Sequence, residues 1–217
     1  MIYFSLTGFL SFFCEKKFYL FGLGVIAFLG GCSILPESAP QQIYQLPSYK
    51  TTVAEGGMYS SNNISLRVRQ PYANRFLNTT YVAVQSNQAE LAVYKGIRWT
   101  DPVPILLRDR LIQEFRRNND VGFIVSDEDN ARVRYEVGSD IVAFQGVYHP
   151  SSSKGEVWIR LDAYLTYNED GRVIARRTFD VRQPIAGKSM DEVVQAFGLA
   201  TDQLSEQFQL WVLQQAR

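Results

Sequence analysis

The chain has 217 residues, 46% of them hydrophobic, with 22 basic and 22 acidic side chains and a net charge near zero. No block of like charge occurs, so the clustered Lys and Arg on which non-specific nucleic-acid binding rests are missing. The two cysteines, Cys14 and Cys32, both lie near the N-terminus, which leaves the rest of the chain no thiol for a disulfide, a cysteine nucleophile or a zinc cluster.

Lys16 and Lys17 precede an apolar run, Phe18 to Phe28, broken by Gly22 and Gly24. A run of this length is too short for a comfortable transmembrane helix and fits the hydrophobic region of a signal peptide. Leu29-Gly30-Gly31-Cys32 then places small residues before a cysteine. The pattern resembles the lipobox of bacterial lipoproteins. That resemblance implies cleavage between Gly31 and Cys32, a diacylglycerol on the Cys32 thiol and an acyl chain on the new amine. No other cofactor is implied. Each buried methylene contributes about 0.8 kcal/mol, and two membrane signals already anchor a protein stably, so a triacylated Cys32 would hold its leaflet effectively permanently. Ser33, not Asp, follows the cysteine. By resemblance to the sorting rule of enteric-type bacteria, this favours the outer membrane. An ordinary signal peptide or a single span is the competing reading. Met1 to Phe13 is also apolar, which makes the leader long.

The chain divides into a signal peptide (1–31), an acylated N-terminus with a flexible tether (32–63) and one periplasmic domain (64–217). The tether carries Pro36, Pro40, Pro47, Gly56-Gly57 and Ser60-Ser61-Asn62-Asn63, a composition that buries little. Within it Ile43 to Pro47 is more apolar and suits an early extended piece packed on the domain. Ile64 to Arg69 alternates apolar and polar residues as a half-buried strand does. Thr79 to Gln85 and Glu90 to Tyr94 are two short strands joined at Ser86-Asn87-Gln88 as a hairpin. Thr100-Asp101-Pro102 starts a helix, with Val103, Leu106, Leu107, Leu111, Ile112 and Phe115 on one face. Asp109, Arg110, Glu114, Arg116 and Arg117 hold its other side, and Asn118-Asn119 ends it.

Gly122 to Ser126 is a short apolar strand, and Asp127 to Asn130 a turn. Three longer strands follow. Val133, Tyr135, Val137, Ile141 and Ala143 alternate with one imperfection at Gly138-Ser139. Val157, Ile159, Leu161, Ala163 and Leu165 alternate strictly. Val173, Ala175, Phe179 and Val181 alternate with Arg177 interrupting. Asn168-Glu169-Asp170-Gly171 is a hairpin turn. Ser189-Met190-Asp191-Glu192 is a capping box opening a long amphipathic helix on Val193, Phe197, Ala200, Leu204, Phe208 and Trp211. Two helices and about seven strands predict a single α/β domain (α+β-like) with a mixed, largely antiparallel sheet and both helices packed on it.

Chemistry is sparse. His149 sits in turn composition with Ser151 to Ser153, and a general base needs a third, rigidly placed group to orient it. No nucleophile elbow, zinc-binding helix or phosphate loop is present, so no catalytic residue and no metal ligand is assigned. Asp127, Glu128 and Asp129 lack calcium-loop spacing. Asp140 and Asp162 lie at polar strand positions and could face each other across the sheet, but the same strands carry Arg134 and Arg160, so cross-strand ion pairing is the expectation. Tyr94, Arg98 and Trp99 form the one concentration of contact-type side chains, the kind that dominates interface hot spots. The competing reading has Trp99 plugging the core where hairpin meets helix.

The lipobox cysteine, Tyr44-x-Leu46, Arg67-Val68, Leu91-x-x-Tyr94-x-x-x-Arg98-Trp99-x-x-Pro102 and Leu106-Leu107-x-x-x-Leu111 together resemble the ABC-type transport auxiliary lipoprotein family, the PqiC/YmbA-like lipoproteins. The resemblance spans the mature chain and departs from the family at Gly96 and Ile97. It implies a fold similar to the N-terminal domain of TolB. It also implies a non-enzymatic accessory subunit of an ABC lipid transporter, docking the MCE-domain (mammalian-cell-entry) periplasmic protein to the outer membrane. The implied partners are that protein, the membrane through the lipid anchor, and further copies of the chain; nucleic acid is not among them. The alternative is a periplasmic lipid carrier with its own cavity.

Overall fold

One long strand organises the molecule. In the computed structural model, which describes residues 41–49, 64–86, 90–117, 122–149 and 154–216, the elements run in chain order. They are β1 (Gln42–Tyr44), β2 (Ser65–Val68), β3 (Tyr72–Ala73), β4 (Tyr81–Gln85), β5 (Leu91–Trp99), α1 (Val103–Arg117), β6 (Phe123–Ser126), β7 (Tyr135–Tyr148), β8 (Gly155–Tyr167), β9 (Arg172–Pro184) and α2 (Met190–Gln215). One edge of β7 pairs antiparallel with β8 along its length, and β8 pairs with β9. Its other edge carries three short parallel strands end to end. These are β2 opposite Tyr135 to Val137, β3 opposite Asp140 and Ile141, and β4 opposite Gly146 and Val147. The sheet continues from β2 to β6, and from β4 through β5 to β1. It is mixed, as expected, and its long ladders are the antiparallel ones.

Alternation sets which face is covered. Val157, Ile159, Leu161, Ala163 and Leu165 of β8 are buried, while their even-numbered neighbours reach the other face. In β7 the core face switches parity. Ile141 lies opposite Leu161 but Phe144 lies opposite Ile159, with a register shift between Ile141 and Ala143. The extra residue of this bulge is Val142, which turns outward and is 45% exposed. The interruption expected at Gly138-Ser139 therefore falls a few residues later, and Ala143 leaves the helix-facing row. Gly138 has a separate reason to be glycine. A β-carbon there would meet ring atoms of Tyr164, its cross-strand partner, at 2.3 Å. A second shift, between Leu165 and Thr166, turns Val173 outward, against the expectation that it is core. Arg177 spreads its guanidinium over the Phe179 ring at 4.9 Å, so a cation at an apolar position still reaches solvent.

Both helices pack on the covered face. All six apolar residues expected on α2 are buried. Fully burying one large apolar side chain is worth about 1.5–3 kcal/mol, so this stripe is a main source of stability. Edge-on aromatic contacts link Trp99 with Phe197 and Phe115 with Phe208, and Phe179 with Trp211. Ser189 caps α2 as the sequence predicts. Its hydroxyl accepts the Glu192 amide, and the Glu192 carboxylate accepts the Ser189 amide at 2.9 Å.

Two expectations need correction. The charged side of α1 is exposed only in part: Asp109 and Arg116 are exposed, but Arg110 and Glu114 are buried against α2, with Arg110 in a salt bridge to Asp202. A helix pair buries part of each partner's polar side when the contact is wide. The folded domain also begins before residue 64. β1 pairs in parallel with β5, and the compact unit runs from Pro40 to Arg217. The apolar piece Ile43 to Pro47 is the reason, since Tyr44 and Leu46 pack against the core. The signal peptide, Cys32 and most of the tether lie outside the described residues, as do Asn118-Asn119 and Ser151 to Ser153.

Candidate functional site at the corner of β1, β5 and α1

The three contact-type residues sit together but face different ways. β5 carries a bulge, because Tyr81 lies opposite Arg98 while Ala83 lies opposite Val93. Gly96, at φ 75°, makes this turn of the strand in a conformation other residues adopt only with strain. The bulge sends Ile97 and Trp99 inward and Arg98 outward. Trp99 is 2% exposed and wedged edge-on against Phe144 and Phe197. Its place as a partner contact is thus corrected: it plugs the core where hairpin meets helix. Its amide donates to the Thr80 carbonyl, and the Thr100 amide to that of Tyr44, so β1, the hairpin and the start of α1 are laced together here.

Tyr94 is half-buried and its hydroxyl donates to that of Tyr148 at 3.1 Å. Burial, then this hydrogen bond, raises its pKa above the usual tyrosine value, so it stays a neutral phenol. Arg98 is the outward member. Its Nε donates to Gln41 Oε1 at 2.5 Å, Nη1 to Thr80 Oγ1 at 3.3 Å and Nη2 to the Tyr81 hydroxyl at 3.3 Å. The guanidinium lies 4.4 Å from the Tyr81 ring centroid. Arg98 therefore ties the segment entering β1 to the hairpin and still presents its charge at the surface.

Segment 45–49 leaves this corner across the helices. The Tyr49 amide donates to Asp202 Oδ2 at 2.9 Å, and Arg117 Nη2 donates to Ser48 Oγ at 2.7 Å. Gly198 of α2 admits it, since a β-carbon there would meet Pro47 Cγ at 2.7 Å and its carbonyl oxygen at 2.8 Å. The packing of Ile43 to Pro47 on the domain is the one expected from sequence; its continuation over α2 at Ser48 and Tyr49, and the Arg110–Asp202 pair beneath it, were not. The only signal was a pair of charges on two helices otherwise read as separately solvated.

The other candidates resolve as structural groups. Asp140 and Asp162 are direct cross-strand partners on the open face. They do not take the arginines expected for them. Asp162 accepts from the Thr178 hydroxyl at 2.6 Å, and Arg160 lies 4.0 Å from Asp180. A cleft of about 950 Å³ is lined by Arg67, Arg69, Asp129 and Glu136 among others. Two of its arginines are engaged: Arg67 donates to the Asp129 and Ala131 carbonyls and, with Arg69, pairs with Glu136. Burial opposes the charge on Arg108, but the hydrogen bonds it donates to the Glu128, Asp109 and Asp127 carboxylates outweigh it and hold its pKa above the arginine norm. Arg108 thereby pins α1 to the turn after β6. His149 is exposed and 4.0 Å from Glu156. No cluster of three or more His, Cys, Asp or Glu residues able to hold a metal occurs among the described residues. No helix among them is long and apolar enough to cross a membrane.

Two solved structures share this fold. Protein XCC0632 from Xanthomonas campestris is 27% identical, with a TM-score of 0.70 over 79% of this chain and 94% of that one. A second, uncharacterized protein is 17% identical, with a TM-score of 0.61 over 80% and 99%. No curated protein matches the sequence. The ABC-type transport auxiliary lipoprotein component family matches residues 44–208, from the end of β1 to Phe208 in the last third of α2. With that match embracing the strap, the corner and both helices, the chain belongs to the ABC-type transport auxiliary lipoprotein family.

Proposed function

We propose that this protein is a lipid-anchored periplasmic accessory subunit of an MCE-type ABC lipid transport system. It docks the transporter's periplasmic substrate-binding assembly to the outer membrane. The observation that carries this reading is the family match over 44–208 in a chain whose leader ends in Leu29-Gly30-Gly31-Cys32. Cys32 would bear the diacylglycerol and the N-acyl chain, with Gly31 before the cleaved bond. The role is positional: the acyl chains hold one end and the folded domain holds the partner. The packing supports a docking part over a lipid carrier, because the layer between sheet and helices is filled by two aromatic clusters, Trp99 with Phe144 and Phe197, and Phe179 with Phe208 and Trp211.

The test is Cys32→Ala expressed at native level behind a cleavable signal peptide. The variant is expected to leave the membrane fraction and to reproduce the phenotype of deleting the gene. Full complementation by the soluble form would refute the anchoring role. Crosslinking to an MCE-domain protein checks the partner separately.

A further inference from the structure

The structure shortens the leash. Read from sequence, the tether ran from residue 33 to 63, long enough to reach about 110 Å when fully extended. The chain is already in the sheet at Gln42, so only nine residues, 33–41, separate Cys32 from β1. They span at most about 32 Å. The leash also ends at a defined point, because Gln41 is held by Arg98 at 2.5 Å. Whatever bilayer holds Cys32 is within that distance of the corner of β1, β4 and β5.

The surface at that point has interfacial chemistry. Ile43, Arg98 and Tyr81 lie in register across three neighbouring strands, Ile43 opposite Arg98 and Arg98 opposite Tyr81. Ile43 is 68% exposed and Tyr81 is 40% exposed. Lys95 stands exposed on the bulge beside Gly96. An apolar residue and a tyrosine flanking a guanidinium, with a lysine nearby, match what a headgroup layer accommodates: apolar side chains at the acyl boundary, an amphipathic ring at headgroup level and cations on phosphate. A residue as exposed and apolar as Ile43 on an edge strand needs a reason, and nearness to the leaflet supplies one. Resting on the anchor reading above, we infer that the row Ile43–Arg98–Tyr81, with Lys95, lies against the phospholipid headgroups of the leaflet that holds Cys32. The turn 168–171, which joins β8 to β9 away from this row, serves as the reference position off the membrane.

Site-directed fluorescence tests this. An acylated Cys32 leaves the mature chain no free thiol, so Ile43→Cys, Tyr81→Cys and Glu169→Cys each introduce one labelling site. Each acylated variant carries an environment-sensitive label and is reconstituted into vesicles of phosphatidylethanolamine and phosphatidylglycerol. A fraction of the lipids carries a quencher near the headgroup. Labels at 43 and 81 are expected to be quenched at least threefold more than the label at 169. Lys95→Glu in the Ile43→Cys background is expected to reduce that quenching, and more so in low salt. A chain that floats with the vesicles but shows equal quenching at 43 and 169 overturns this inference and leaves the anchor intact. A chain that does not float removes the anchor reading and this inference with it.

Discussion

Neighbouring residues at the corner differ sharply in what they hold. Trp99 fills the junction of sheet, hairpin and α2, and truncating it leaves a cavity the surrounding rings cannot close. Trp99→Ala is expected to lower the unfolding free energy by about 3–5 kcal/mol in urea titration. Arg98→Ala removes hydrogen bonds at a wetter position and is expected to cost about 1 kcal/mol. A reversed order would mean that Trp99 is not packed as described. The buried Arg110–Asp202 pair makes a different case. Arg110→Met strands the Asp202 carboxylate, to which the Tyr49 amide is left among the described residues, and is expected to cost about 3–5 kcal/mol. Adding Asp202→Leu removes the stranded charge and is expected to recover most of that loss. The double-mutant cycle reads the coupling directly.

At the scale of elements, the cap of α2 carries a pH dependence with a definite sign. The Ser189 side chain and then its amide bond the Glu192 carboxylate and lower its pKa below the ordinary glutamate value. A depressed acid stabilises the fold above its unfolded pKa and loses that contribution as pH falls through the folded value. Glu192→Gln keeps a capping box but cannot titrate. The stability difference between wild type and Glu192→Gln, from melts in a pH series, is expected to be flat near neutrality. It should shift against the wild type on acidification below the glutamate range. Ser189→Ala is expected to cost about 1 kcal/mol at neutral pH.

The elements that sequence announced share a property with this cap: their signals are local. The capping box, the strict alternation of β8 and the i, i+4 stripe of α2 can each be read within one segment. β3 could not, because two residues in Tyr72-Ala73 become a strand only by lying beside β7. The bulge at Val142 is invisible for the same reason, since it is defined by what lies opposite. Of the candidate corner, the residue types were legible and their directions were not. The positive φ at Gly96 reverses which of Arg98 and Trp99 faces out, and a run of nine strand residues read as five hides that bulge. The strap at 45–49 depends on contacts distant in sequence: Pro47 over Gly198, the Tyr49 amide on Asp202 and Ser48 on Arg117.

For the whole molecule, the proposed anchor makes the length of chain between Cys32 and the first strand the decisive quantity. Anchored in that way, a domain nine residues from Cys32 would sample a thin layer above its leaflet, whereas a long tether would let it range across the periplasm. Inserting 20 Gly/Ser residues after Ala39 tests this without touching the folded unit, which starts at Pro40. The melting temperature is expected to stay the same, because no described contact is altered, and the protein should still fractionate with membranes. The reach of a flexible linker grows as the square root of its length. A planar target is met anywhere along its surface, so only excursions normal to it dilute the contact. Going from nine to 29 linker residues should then lower the population resting on the headgroups by about twofold, read as quenching of the label at residue 43. Complementation of the gene deletion should fall with it if the lipoprotein holds its partner at a set height. If the lengthened chain quenches and complements as the native one does, leash length is not what positions the domain.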